Sequence, residues 1–145
     1  MTARRKILIC SALVFAMLAC GTTAPTPKPP DVFLTGMVWK DNDQDGQQDV
    51  AENGLPGVTV KLFREEEGIF VFQESTLSAN AGLFDFPPLA GGFNYQLEFV
   101  EPAGYHLTGQ DLGDDNFDSD VNPITGRSVS TRETIAIDAG MIPEL

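Results

Sequence analysis

The sequence predicts an all-β domain: a sandwich of about seven short strands, with one cation-binding loop inserted. Three observations carry that expectation. Apolar and polar residues alternate with period two in a series of short runs. Turn signals rich in Gly, Pro, Asn and Asp separate the runs, and none of the runs opens with a helix start signal. Between the first two runs lies Asp41-Asn42-Asp43-Gln44-Asp45-Gly46-Gln47-Gln48-Asp49-Val50-Ala51-Glu52, a full match to the EF-hand calcium-loop pattern.

Residues 1–20 read as an export signal. Arg4, Arg5 and Lys6 precede an apolar run, Ile7 to Ala19, that is too short to span a bilayer and ends in small residues. Its end, Met17-Leu18-Ala19-Cys20, resembles a bacterial lipobox, which makes Cys20 the expected lipid attachment; the alternative is plain secretion with cleavage nearby. Cys10 leaves with the signal, so the exported chain keeps Cys20 alone and forms neither a disulfide nor a cysteine–histidine zinc site. Residues 21–32 form a Pro/Thr-rich linker biased to extended polyproline, and residues 33–145 form the domain.

Within the domain, Phe33 to Trp39 alternates as a strand, followed by the acidic loop and the turn Gly54-Leu55-Pro56-Gly57. Val58 to Arg64 and Ile69 to Thr76 flank the turn Glu65-Glu66-Glu67-Gly68 as a hairpin. Leu83 to Phe86 is a short strand, and Phe93 to Val100 places Tyr95, Leu97 and Phe99 on one face. A long acidic loop spans Gln110 to Thr125, and a last strand, Thr134 to Gly140, is expected to point Ile135 and Ile137 inward. Phe33, Trp39, Phe63, Phe84, Phe86, Tyr95 and Phe99 are the expected aromatic core.

Each loop position has a physical task. The carboxylates of Asp41, Asp43 and Asp45 converge on one cation, Gly46 permits the sharp turn, and Gln47 offers its backbone carbonyl. Asp49 acts directly or through water, and Glu52 closes the site with two oxygens. Without a cation, each close carboxylate pair repels by about 1 kcal/mol even in water. Gln48, at a position that is apolar where two EF-hands pair, predicts a lone loop grafted onto a sheet. Calcium is the expected cofactor.

Charge narrows the partners. Removing the three cations of the leader takes the formal charge from −12 to −15, because all 21 acids lie beyond residue 20. So acidic a surface excludes nucleic acid and direct docking on anionic lipid heads, which leaves the N-terminal lipid as the membrane contact. Enzyme chemistry finds no support: His106 is the single histidine and follows the Tyr105 turn with no paired cysteine or obvious nucleophile.

With the strands in view, the chain resembles the B-repeat domain of serine–aspartate-repeat bacterial surface adhesins, within the Cna-B-like group. The resemblance rests on Gly36-Met37-Val38-Trp39-Lys40-Asp41, the calcium loop, and Glu52-Asn53-Gly54-Leu55-Pro56-Gly57-Val58-Thr59-Val60. It continues through Gly82-Leu83-Phe84-Asp85-Phe86, Tyr95-Gln96-Leu97-Glu98-Phe99, Pro102-Ala103-Gly104-Tyr105, Asp118-Ser119-Asp120 and Ile137-Asp138-Ala139-Gly140, in order from Leu34 to Ile142. It implies an immunoglobulin-like or prealbumin-like sandwich in which calcium stiffens a module that spaces or presents adhesive regions. Such modules usually occur in tandem beside a separate ligand-binding region, whereas here one copy follows the expected anchor, so adhesion is carried over by analogy alone.

A second acidic stretch contains Asp111, Asp114, Asp115, Asn116, Asp118 and Asp120 and does not fit the twelve-residue pattern. The resemblance implies further metal sites here, with Asp114, Asn116, Asp118 and Asp120 as candidate ligands and Asp138 in support; the alternative is a solvated acidic loop. Related modules can also form a lysine isopeptide bond, for which Lys40 or Lys61, Glu98 and Asp138 are present, but Glu98 falls on the polar face of its strand. The expected function is a non-catalytic, calcium-stabilised structural or interaction module, lipid-anchored at the bacterial surface, with an extracellular protein or glycan as partner. The alternative is a calcium-dependent carbohydrate-binding module.

Overall fold

Period-two alternation gives each strand one apolar face, and two sheets close over those faces. The computed structural model describes residues 26–114 and 116–144, and residues 1–25, Asp115 and Leu145 lie outside that range. Among the described residues ten short strands occur, more than the seven expected because the later runs break into two- and three-residue pieces. They are β1 (Leu34–Lys40), β2 (Thr59–Glu66), β3 (Ile69–Leu77), β4 (Leu83–Asp85) and β5 (Tyr95–Val100). After them come β6 (Tyr105–Leu107), β7 (Val121–Asn122), β8 (Arg127–Ser128), β9 (Ile135–Ala136) and β10 (Ala139–Pro143). One sheet runs β4-β1-β10-β6, with β9 also paired to β1, and the other runs β3-β2-β5-β8-β7. The fold is a β-sandwich.

Between the sheets, Leu34 and Val38 of β1 and Met141 of β10 meet Val60 and Leu62 of β2 and Leu97 and Phe99 of β5, all essentially buried. Phe84 stacks edge-on against Phe99 with centroids 5.5 Å apart. Of the expected aromatic core, Trp39, Phe84, Phe86, Tyr95 and Phe99 are buried. Phe33 is not: Leu34 points inward, so period two sends Phe33 to the surface, 46% exposed. Phe63 is half-buried on the outer face for the same reason, since Val60 and Leu62 take the inner one. There it meets Phe72 edge-on at 5.9 Å and lies under the Arg127 guanidinium at 4.6 Å.

The hairpin turn is tighter than expected. β2 runs on to Glu66, and Glu67 and Gly68, both at positive φ, make a two-residue turn. The last expected strand is cut at Asp138. β9 and β10 hold one parallel register against β1, Leu34 opposite Ile135 and Val38 opposite Ala139. At the break, the Met37 amide donates to the Asp138 carboxylate (2.7 Å), so a side chain takes the place of a ladder carbonyl. Ile137 is buried as expected, but Ile135 is 43% exposed, because β9 has β1 as its one strand neighbour among the described residues.

Candidate metal centre

β1 delivers the acidic loop to one end of the sandwich and tertiary contacts close its base. The Lys40 amide donates to Asn53 O (2.9 Å), the Leu55 amide to Val38 O (2.7 Å), and the Asp41 amide to Met141 O of β10 (3.0 Å). Gly54 must be glycine at this neck, since a Cβ there would overlap the backbone carbonyl of Ala81.

Asp41 is completely buried and anchors the loop from beneath. Its carboxylate accepts from the amides of Gln44 (2.6 Å) and Gly46 (3.0 Å) and from the hydroxyl of Thr108 (2.5 Å), itself buried. Gly46 sits at φ +82°, as the sharp turn requires. One oxygen from each of Asp41, Asp43 and Asp45 lies within 4.8 Å of the other two. Asp43 and Asp45 are exposed, and the Asp45 carboxylate accepts from the Gln47 amide at 2.8 Å. Glu52 reaches across the loop and accepts from the amides of Asn42 (2.5 Å) and Asp49 (3.3 Å). Burial, with the nearby charges of Asp41 and Asp43 adding to it, pushes the Glu52 carboxyl above its ordinary 4.5 against the pull of those two amides. Asp49 is exposed at the rim. Three carboxylates converging on one point, one of them buried, are a donor set for a hard cation, and these residues could hold a metal ion.

The loop is not alone. The backbone N–H of Gln48 donates to Phe117 O (2.7 Å), and Gln47 bridges Asp118 in antiparallel fashion. The place that a second EF-hand would take is thus filled by the second acidic stretch. There the structure gathers Asp111, Asp118 and Asp120, with carboxylate oxygens within 4.8 Å of one another and Asp118 buried. Asp111 reaches the group from a left-handed backbone at φ +55°. Asp114 and Asn116, both expected as ligands, stay exposed and bond to each other, Asn116 Nδ2 to Asp114 Oδ1 at 2.7 Å. The amides of Phe117 and Asp118 bond to Asp114 O, so Asp114 shapes the turn that carries Asp118. Asp120 and Asp138 are tied twice, the Asp138 amide to Asp120 Oδ2 (2.6 Å) and the Asp120 amide to Asp138 O (2.9 Å). Burial raises the Asp138 carboxyl, against the Met37 amide that lowers it. Through Asp138 the second cluster is bonded to β1.

Sequence reasoning did not find Thr108, whose role depends on β6 lying beside β10, nor the selection of Asp111 over Asp114 and Asn116. Cys20 and Asp115 lie outside the described residues. Glu98 is held by Lys61 (2.8 Å) and Arg127 (2.7 Å), and the Lys61 bond first of all keeps its carboxyl below the ordinary range, so Glu98 is an ion-pair acceptor.

The sequence profile of the SdrD B-like domain matches residues 33–141. Serine-aspartate repeat-containing protein D of Staphylococcus aureus (strain Newman) is 34% identical over 114 residues, 78% of this chain and 8% of that protein. Serine-aspartate repeat-containing protein C of the same strain is 35% identical over 108 residues, 74% of this chain and 11% of that protein. Among solved structures, a streptococcal ancillary pilin shares 17% identity at a TM-score of 0.44, over 77% of this chain and 30% of its own. A mutant of the shaft pilin spaA from Lactobacillus rhamnosus GG shares 11% at 0.43, over 82% and 52%.

Proposed function

Because the chain belongs to the SdrD B-like domain family, we propose that it is a non-catalytic structural module of the bacterial surface, stabilised by calcium and carried on a lipid at Cys20. The observation that carries the calcium reading is the buried Asp41. It joins the acidic loop to Thr108 and, through its amide, to β10, so a cation held by Asp41, Asp43, Asp45 and Glu52 stiffens the junction of loop and sheet. The backbone of Gln47 and the side chain of Asp49 complete the oxygen set that the loop pattern provides. A second ion at Asp111, Asp118 and Asp120 would brace the Asp120–Asp138 link to β1. When bound, the ions supply charge neutralisation and cross-linking, and no reaction. Support for surface display comes from the kinship with the serine-aspartate repeat-containing proteins, and support for the anchor from the lipobox-like end at Cys20.

Calorimetric titration of calcium into the chelated chain, freed of residues 1–20, tests this reading. Two sites with affinities on the order of micromolar to millimolar are expected, with a rise in melting temperature. Asp118→Asn should remove one site and keep the other. Absence of any heat or thermal shift would end the calcium reading.

One observation favours carbohydrate binding as a second reading. Phe117, 53% exposed, stands beside the loop at a cavity of about 280 Å³ lined by Asp45, Gln47, Gln48, Asp49 and Val50. An exposed ring next to carboxylates suits the apolar face and hydroxyls of a sugar. Calcium-dependent binding to a glycan array, lost in Phe117→Ala, would establish this reading, and an array blank with and without calcium would remove it.

A further inference from the structure

The Pro/Thr-rich segment before the sandwich does not simply lead away from it. Val32 is buried, and it exchanges both backbone hydrogen bonds with Leu89, at 2.9 Å each. Two residues further out, the Pro30 carbonyl comes up against Gly91. The approach there is so close that a Cβ on Gly91 would overlap the Pro30 carbonyl oxygen and lie 3.0 Å from the Pro29 carbonyl carbon. A Cβ on Gly92, which sits at φ +93°, would meet the Pro29 ring at 3.3 Å. Glycine is required for backbones to approach this closely, and prolines, lacking an N–H, suit an edge segment that pairs on one side only.

The receiving turn is itself fixed. The hydroxyl of Tyr95, a buried residue of β5, donates to Ala90 O (2.8 Å), and the Arg64 guanidinium covers the Phe93 ring at 4.7 Å. On the linker side, Lys28 pairs with Asp31 across the prolines (2.7 Å). From these contacts we propose that the Gly91–Gly92 turn is a seat for Pro29–Pro30, which locks the direction in which the chain leaves the domain toward its N-terminus. The module is then held at a set angle to whatever precedes Pro29, and a swivelling tether is excluded. The seat lies apart from both acidic clusters and operates with or without a metal.

Two spin labels test the proposal on the full chain in detergent. Cys10 and Cys20 are replaced by serine, and the labels are attached through Thr26→Cys and the exposed β3 position Ser75→Cys. A narrow distance distribution is expected in the parent. It should broaden about twofold in Gly91→Ala, as for a released flexible segment. The double variant Pro29→Gly/Pro30→Gly, which leaves the core untouched, should broaden it likewise. Gly57→Ala, which strains a backbone at φ +82° away from the seat but whose added Cβ meets nothing within 4 Å, controls for general destabilisation and should leave the width unchanged. A distribution already broad in the parent, or unchanged in both seat variants, overturns the proposal.

Discussion

Asp41 and Asp43 belong to one loop but do different work, and a pair of substitutions separates them. The buried Asp41 carboxylate accepts three hydrogen bonds, from Gln44, Gly46 and Thr108. Hydrogen bonds to a charged acceptor are worth about 1.5–3 kcal/mol each. Asp41→Asn with its oxygen at the Oδ2 position keeps the Gly46 and Thr108 bonds, now to a neutral acceptor, and turns its NH₂ toward the Gln44 amide; one bond lost and two weakened should cost about 3 kcal/mol. In a domain of this size that lowers Tm by roughly 10 °C. Asp43 is exposed, and no hydrogen bond holds it among the described residues, so Asp43→Asn should cost the chelated domain nothing and, by relieving its repulsion with Asp41 and Asp45, stabilise it by about 1 kcal/mol. Calcium reverses the symmetry. At a hundredfold excess over Kd it should stabilise the parent by about 2.7 kcal/mol for each site, and both variants should lose the loop's share while keeping that of the second cluster. Scanning calorimetry of the three proteins, chelated and calcium-loaded, reads all six values. Equal melting points for the two chelated variants would refute the assignment of Asp41 as the structural ligand. A full calcium shift in Asp43→Asn would remove the loop as the site.

Other outcomes follow from the same contacts. Thr108→Val deletes the 2.5 Å bond to Asp41 and should cost about 1–2 kcal/mol in the chelated domain, read by urea denaturation. Gly82→Ala combines a φ of +75° with overlap on Val38 O, and should cost more than about 2 kcal/mol by the same measurement. Acidification should weaken calcium binding at a higher pH than an ordinary carboxylate site would show, since the Glu52 carboxyl is held above 4.5; titration calorimetry at stepped pH measures it. Glu98 has the opposite sign. Its folded value is lowered, so the stability it contributes is complete above 4.5 and fades as pH falls through that lowered value. The Glu98→Gln deficit, about 1 kcal/mol for partly exposed pairs, should therefore vanish in acid denaturation curves.

How far the sequence could be read depended on whether the information was local. The loop Asp41–Glu52 is contiguous, so spacing alone singled out Asp41, Asp43 and Asp45, whose carboxylates the structure brings together, and Tyr95, Leu97 and Phe99 showed their face by alternation. Phe33 and Phe63 were misplaced because aromatic identity says nothing about which face a residue takes; the neighbours Leu34 and Leu62 decide it. The strand expected through Ile135 broke because Asp138 accepts the Met37 amide with its side chain, a substitution that period two cannot register. Asp111 joins Asp118 and Asp120 only once Gln110 and Ser119 pair, and Thr108 reaches Asp41 only across 67 residues. Gln48 signalled that no second EF-hand faces the loop, while its actual neighbour, Phe117, was set by the tertiary fold.

The parallel pairing of β1 with β9 and β10 has a mechanical consequence. The chain enters the sandwich at the start of β1 and leaves it at the end of β10, and the two strands run side by side in the same direction. Tension between those points drags the strands lengthwise past each other, so their ladder is loaded in shear and its bonds bear the force together. They do not peel apart one by one. The Met37–Asp138 bond sits inside that ladder, and Asp41 is bonded to Met141 at its far end, which places both acidic clusters on the line of load.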